Sequence, residues 1–292
     1  MNLNLENKVV LITGGSSGIG RETAVAFAQE GAKVVVAARR VKEGNEVVEM
    51  VKAVGGEAAF IQTDVSKTAD VVAMVEHCIA TYGRLDFAFN NAGIEGSTHV
   101  KTADYDEQVW TQVIDINLKG VWLCMKYQIP HMLANGGGAI VNMSSVAGLK
   151  GGTLGIPYYA SKHGVIGATK AAAKEYAAQG IRVNAVCPAI IKTAMADRAF
   201  GEDEDSYEES GSWHPMGRVG TPAEVASAVL WLCSDGAGFV TGHSLAIDGG
   251  MLLLTVEAKC VSRSPFPLAD KREHNIHTLT FLGAFHPETF QV

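Results

Sequence analysis

The 292-residue chain has no C-x-x-C pair, and its five cysteines (Cys78, Cys124, Cys187, Cys233 and Cys260) are odd in number and widely scattered. This excludes a disulfide framework and offers no zinc-ligand spacing, so reduced thiols in a cytoplasmic protein are expected. No block of lysine and arginine occurs, and the net charge is -7 with a pI near 5.7. Phosphate backbones are bound by basic stripes, so a nucleic-acid partner is not expected. No apolar run approaches the roughly 18 residues a membrane span needs, and the opening M-N-L-N-L-E-N-K lacks a basic segment followed by an apolar one. Neither a membrane anchor nor a secretory signal is therefore expected. G-x-S-x-G is missing too, which leaves little room for a serine hydrolase. What the chain does have is 47% hydrophobic and only 19% charged residues, enough to bury a sizeable core.

The apolar residues fall into alternating short runs and longer helical patterns. Lys8 to Thr13, Lys33 to Ala38, Glu57 to Thr63 and Leu85 to Asn90 read as strands, and the first of them lacks polar alternation, as a strand buried on both faces would. Arg21 to Gln29, Val41 to Val54 and Ser66 to Tyr82 read as the intervening helices. A longer helical pattern runs from Asp104 to about Met132, with Asn117 and then a glycine inside it, a locally unfavourable arrangement that needs a reason. Further strands are A-I-V-N-M after Gly136 to Gly138, I-R-V-N-A-V-C-P, and Leu245 to Ile247, the last preceded by a helix over about Pro222 to Cys233. Such alternation predicts parallel βαβ units in a single α/β domain, a Rossmann-like doubly wound sheet that binds ligands at the carboxyl ends of its strands.

Three of those ends carry suggestive residues. G-G-S-S-G-I-G follows the first strand, with Gly14, Gly18 and Gly20 spaced G-x-x-x-G-x-G, and a helix follows at once. A turn of this kind leaves free N–H groups and a positive dipole end for a pyrophosphate, although it also serves simply as a turn. Asp64 and Asn91 end the third and fourth strands, where Asx turns are equally common. Between Ser145 and Lys162 lie a hydroxyl, a phenol and an ammonium. Tyr158 and Lys162 are four apart in an alanine-rich helical stretch and share one face of it. A cation about 5 Å away would lower a phenol's pKa by roughly two units, bringing Tyr158 into range as an acid or base near neutrality. The spacing also arises by chance, so its weight depends on the company it keeps.

That company is T-G-G-S-S-G-I-G, Asp64 with Val65, N-N-A-G, Asn117, a serine thirteen residues before Y-x-x-x-K, and P-A-I-I-K-T, in this order. Over roughly residues 5 to 254 the chain resembles the short-chain dehydrogenase/reductase family. The resemblance implies hydride transfer between a nicotinamide dinucleotide and an alcohol or carbonyl of a small neutral substrate. By the family's spacing, Ser145 is preferred to Ser144 and Tyr158 to Tyr159. The implied roles are proton exchange for Tyr158 and hydrogen bonding to the substrate oxygen for Ser145. Lys162 would lower the tyrosine pKa and bind the nicotinamide ribose, and Asn117 would hold a proton-relay water. Gly14, Ser16, Ser17, Gly18, Ile19 and Gly20 would cradle the pyrophosphate. Asp64 and Val65 would meet the adenine, Asn91 the adjoining ribose, and Ile191 with Thr193 the carboxamide. Assembly as a homotetramer is implied as well, helped by small residues on the Tyr158 helix (Gly164, Gly167, Ala168 and Ala171 to Ala173).

The second strand, K-V-V-V-A-A-R-R, lacks the terminal carboxylate with which NAD(H) enzymes of this type hold the ribose hydroxyls. Ala38 stands there, and Arg39 follows with a guanidinium able to fork onto a phosphate. NADP(H) is therefore the expected cofactor, with NAD(H) as the alternative, because Ser17 stands where some NADP-dependent relatives carry a basic residue. Two features depart from the family: Ala189 replaces the glycine after Pro188, and Thr255 to Val292 extend past the usual end and read as loop or disorder. Glu95, Ala147, Gly152, Ile156, Ala189, Met195 and the loop to His214 are expected to line the substrate. The acidic stretch Glu202 to Glu209 in that loop reads as a solvated loop, or as a mobile lid whose charge, on closing over the site, would disfavour anions. A non-catalytic dinucleotide-binding protein of the same fold is the competing reading.

Overall fold

A computed structural model describes residues 3–253. The expectation for residues 255–292 lies outside that range. Seven parallel strands form one sheet in the order β3-β2-β1-β4-β5-β6-β7: β1 Val9–Thr13, β2 Lys33–Ala38, β3 Glu57–Gln62, β4 Phe87–Asn90, β5 Gly138–Met143, β6 Ile181–Pro188 and β7 Ser244–Ile247. In β1, Val9 and Leu11 join the apolar cluster on one face of the sheet, while Val10 and Ile12 join the cluster on the other. That is why the run is apolar without alternation. Each of these fully buried side chains contributes about 1.5–3 kcal/mol by leaving water.

Helices cover both faces. α1 (Gly18–Gln29), α2 (Val41–Ala53) and α9 (Pro222–Cys233) pack on one, and α3 (Thr68–Tyr82), α5 (Gly120–Ala134) and α6 (Ile156–Tyr176) on the other. α9 is bounded at both ends by side chains. Thr221 and Glu224 form a reciprocal capping box at its start, and the Arg182 guanidinium donates to the carbonyls of Leu232, Cys233 and Ser234 at its end. Strand order reverses between β1 and β4, so a crevice opens at their carboxyl ends. Below it a buried polar chain ties strands to helices: Asn90 exchanges hydrogen bonds with Gln128 of α5 at 2.9 and 3.2 Å, Asn90 donates to Asn142 at 2.9 Å, and Asn142 donates to Thr169 of α6 at 3.0 Å. Each amide is satisfied, as burial requires.

Two expected elements differ. The single helix from Asp104 to Met132 is α4 (Glu107–Ile114) and α5, joined by a π-helical turn at Asp115–Lys119. The wider turn holds Asn117, whose amide accepts from the Ile94 N–H at 2.9 Å and donates to the Ile94 carbonyl at 2.8 Å. The helix thus spends its regularity on gripping the loop after β4. The glycine that follows is also explained, since a Cβ on Gly120 would come 2.9 Å from Val65.

The expected acidic loop at Glu202 to Glu209 is mostly helix. α7 (Ala194–Phe200) is followed by α8 (Glu204–Ser212), whose N-cap Asp203 accepts from the Ser206 N–H at 2.8 Å. Glu204 and Asp205 fall in its first turn, where carboxylates complement the helix dipole. Charge density that suggested a solvated loop is in this case a helix start. Among the described residues no helix is long and apolar enough to cross a membrane, and Cys78, Cys124, Cys187 and Cys233 are buried free thiols.

Candidate active site

A cleft of about 530 Å³ runs across the carboxyl ends of the strands, from Ala38, Arg39 and Asp64 past Gly14 and Asn91 to Ser145 and Tyr158. Its shape suits a long, jointed ligand. At its middle, Ser17 starts α1 without bonding its side chain to the helix, so the first-turn N–H groups are left without a side-chain cap. A Cβ on Gly20 would lie 2.4 Å from the Gly14 carbonyl oxygen and 2.7 Å from Asn91 Nδ2, which is too close for any side chain. These are the features a pyrophosphate needs, and on this ground the residues fit a dinucleotide.

The structure gives several expected contact residues a second occupation. Asn91 Nδ2 donates to the carbonyls of Thr13 and Gly14 at 3.0 and 3.2 Å, stitching the loop after β4 to the glycine turn. Asp64 accepts from the Ser66 N–H and hydroxyl at 3.1 and 2.7 Å. Burial would raise its pKa, but those bonds together with Arg39 and Lys67 outweigh it and hold the carboxyl below its ordinary value. Val65 is buried beside it. Across the cleft, Thr193 caps α7 and donates to the Ile191 carbonyl at 3.1 Å, with Ile191 bridged to Gly220. Ser16, Ser17, Gly18, Ile19, Ile191 and Thr193 all line the cleft.

The two serines at the end of β5 divide their work. Ser144 is buried and donates to the Lys162 carbonyl at 2.9 Å, anchoring α6. Ser145 donates to the Pro188 carbonyl at 3.3 Å, accepts from the Ala147 N–H at 3.1 Å, and is hydrogen-bonded to Tyr158. Lys162 Nζ lies 5.5 Å from the Tyr158 ring centre and donates to the Met143 carbonyl at 2.9 Å. Ser145, Tyr158 and Lys162 therefore meet at one end of the cleft. Asn117 stands nearby, since a Cβ on Gly93 would be 3.3 Å from its Oδ1 and 3.7 Å from Lys162 Nζ. Tyr159, the alternative register, does not line the cleft.

The electrostatics differ from expectation. Burial pushes the Tyr158 phenol up to about 12, the Ser145 hydrogen bond opposing it and Glu95 and Tyr159 reinforcing it. Burial also brings the Lys162 ammonium down to about 8, slightly offset by Cys187. The anticipated lowering of the phenol is thus not found, because desolvation sets the direction of both shifts and penalises both charged forms at once.

Of the expected substrate-lining positions, Glu95, Ala189 and Met195 line the cleft, and Ala147, Gly152, Ile156 and His214 do not. His214 is buried against Gly249, and Ala147 faces the core. The acidic residues 202–209 are absent from the lining. Sequence reasoning missed Arg40, whose guanidinium donates to Ser16 Oγ at 3.1 Å and Ser17 Oγ at 2.7 Å. It also missed Leu154, while Arg198 and Phe200 belong to the expected loop to His214 and do line the cleft. The doubled arginine was the one available signal for Arg40. Nothing local marks Leu154.

The matching family model, described as "Enoyl-(Acyl carrier protein) reductase", covers residues 14–252. The chain is 46% identical over 249 residues to a cyclohexanol dehydrogenase of Acinetobacter sp. (strain SE19), covering 85% of this chain and 96% of that one. It is 42% identical over 251 residues to an A-factor type gamma-butyrolactone 1'-reductase (1S-forming) of Streptomyces virginiae, covering 86% and 97%. The structure of a carveol dehydrogenase from Mycobacterium avium in complex with NAD superposes with a TM-score of 0.82 at 34% identity, over 85% of this chain and 99% of that one. With a parallel seven-stranded sheet, a glycine turn at its switch point and this degree of likeness, the chain belongs to the short-chain dehydrogenase/reductase family.

Proposed function

We propose that the protein transfers hydride between NADP(H) and the secondary alcohol or ketone of a small, neutral, cyclic substrate. The observation that carries this reading is the meeting of Ser145, Tyr158 and Lys162 in the cleft that also holds the glycine turn. The relatives' names, a cyclohexanol dehydrogenase among them, support the alcohol class and the ring. So does a chamber walled by Ile94, Leu154, Ala189, Met195 and Phe200, which suits a hydrocarbon body.

A bound nicotinamide supplies the hydride donor or acceptor, and Gly14 to Gly20, Val65, Asn91, Ile191 and Thr193 are the residues that would hold the dinucleotide. In reduction, Tyr158 gives its phenolic proton to the carbonyl oxygen, and in oxidation it takes the hydroxyl proton. Ser145 donates a hydrogen bond to the same oxygen as charge grows there. Lys162 sets a positive potential beside the phenol and replaces its proton. Asn117 fixes the loop carrying Gly93 and Ile94, keeping the floor of the chamber in place.

The NADP(H) preference rests on the end of β2. Ala38 brings no carboxylate, Arg39 lines the adenine end beside Asp64, and Arg40 already lies on the two serines of the glycine turn. Two guanidiniums at this corner favour a 2'-phosphate. A charge-assisted contact of about 1.5–3 kcal/mol corresponds to roughly ten- to 150-fold in affinity. NADP(H) should bind more tightly than NAD(H) by a factor in that range, with Arg39→Ala erasing most of the difference and Arg40→Ala part of it. Fluorescence titration of both reduced cofactors measures this, and equal or tighter NAD(H) binding by the unmodified protein refutes it. Absorbance of reduced cofactor during incubation with cyclic alcohols tests the activity itself. Binding without turnover across the panel would favour a non-catalytic dinucleotide-binding protein.

Assembly as a homotetramer belongs to the same reading. Trp122 of α5 is 50% exposed, Trp110 of α4 is also exposed, and a Cβ on Gly167 of α6 would meet nothing. These exposed positions on α4, α5 and α6 leave room for a partner and support this reading. Ala172 and Ala173, by contrast, are buried in the chain's own core. Light scattering at micromolar concentration should give four times the chain mass, and a monomeric mass removes this part.

A further inference from the structure

Besides Ser145, Tyr158 and Lys162, the cleft lining holds one ion pair that the chemistry above leaves unused. Glu95, in the loop after β4, meets Arg198 of α7 through a fork, Nε to Oε1 at 2.6 Å and Nη2 to Oε2 at 3.3 Å. Both side chains line the cleft, but they sit differently. Glu95 is 17% exposed and Arg198 is 59% exposed, so the carboxylate is the more enclosed member of the pair. The segment bearing Arg198 is itself anchored. Tyr207 donates to Asp197 at 2.5 Å, Lys192 lies 5.0 Å from the Tyr207 ring centre, and Phe200 meets Trp213 edge to face at 5.8 Å.

A carboxylate can accept about four hydrogen bonds. Arg198 uses two of these positions, and no other hydrogen bond to Glu95 is present among the described residues. What remains is an acceptor with no donor function, fixed by an arginine and set in a wall of Ile94, Leu154, Met195 and Phe200. Such a group rewards a hydroxyl, tolerates hydrocarbon poorly and repels a second carboxylate. Tyr158, the group that would meet the reacting oxygen, lines the same cleft, and the Glu95 charge helps to raise its phenol pKa.

We propose that Glu95, held by Arg198, is a specificity-determining acceptor for a second hydroxyl on the substrate. The enzyme then prefers a cyclic diol or hydroxyketone to the matching mono-alcohol or ketone. This rests on the dehydrogenase reading given above, and the test separates the two. Steady-state rates with cyclohexanol and with a cyclohexanediol at saturating cofactor give a ratio of kcat/KM for the unmodified protein, Glu95→Ala and Arg198→Lys. Titration with reduced cofactor confirms that each variant is folded. The expected ratio is about tenfold or more in favour of the diol, carried mainly in KM. It should fall toward one in Glu95→Ala and persist in Arg198→Lys, which keeps a cation beside the carboxylate. A ratio near one in the unmodified protein, or one that Glu95→Ala leaves unchanged, overturns the role of Glu95 while leaving the dehydrogenase reading intact. Turnover of neither alcohol with either cofactor overturns both.

Discussion

Tyr158→Phe is expected to lower kcat/KM by about a thousandfold or more while changing the dissociation constant of the reduced cofactor by less than about threefold, the kinetic loss lying within the range positioned acid–base groups supply. The substitution removes one oxygen from a ring that otherwise keeps its packing, including the edge-to-face contact with Tyr159 at 6.5 Å. Tyr159→Phe should retain most activity, because Tyr159 does not line the cleft. If Tyr159→Phe is dead and Tyr158→Phe keeps more than a few per cent of activity, the register is wrong. The pH dependence follows from the same environment. Burial holds the phenol protonated up to about 12, so the acid needed for reduction is present throughout the neutral range. The base needed for oxidation is scarce there. Reduction should therefore be nearly flat between pH 6 and about 8, and oxidation should climb toward alkaline pH.

Lys162→Met is expected to be nearly inactive and yet no less stable than the unmodified protein at pH 7. Lys162 is brought down by burial from 10.5 to about 8. A group whose folded pKa is depressed in this way costs stability in full below about pH 8, where it is charged in both states. The cost fades as pH rises from about 8 to 10.5, because the folded chain then releases its proton before the unfolded chain does. The shift corresponds to about 3 kcal/mol as an upper figure. Against it stands one lost hydrogen bond, to the Met143 carbonyl, worth about 1 kcal/mol. Desolvation wins, and methionine fills much of the same space. Melting temperatures at pH 7 should be equal to or above those of the unmodified protein, with the gap narrowing toward pH 10. Tyr158 behaves oppositely: its stabilising contribution is complete below about pH 10 and is lost as pH rises through about 12. A Lys162→Met protein that melts well below the parent at pH 7 would show that the ammonium is held by more than its one visible bond.

Legibility in the sequence followed from how local each signal was. The strands were readable because a chain buried on both faces must be apolar at successive positions, as Val9 to Ile12 are. The split at Asp115–Lys119 was not, because a π turn differs from an α turn by one residue and leaves the apolar period nearly intact. Asn117 and its glycine were nevertheless conspicuous as misfits, and the misfit proved to be where Asn117 grips Ile94. The acidic stretch before Trp213 was misread because carboxylates mark both solvated loops and the first turns of helices, and only Asp203 at the cap distinguishes them. Arg39 was singled out for its place after β2, yet Arg40 reaches the glycine turn. Both arginines line the cleft, and the order of the pair along the chain does not say which of them bonds Ser16 and Ser17.

The sequence by itself determined the parallel α/β architecture, the glycine turn at the switch point and the face shared by Tyr158 and Lys162, because each is written in spacings of a few residues along one element. Only the tertiary structure decided the sign of the Tyr158 shift and the partner of Glu95. The first is set mainly by lost hydration, which depends on everything packed around the ring. The second joins a loop to a helix 103 residues further along the chain, a distance over which no local pattern carries information.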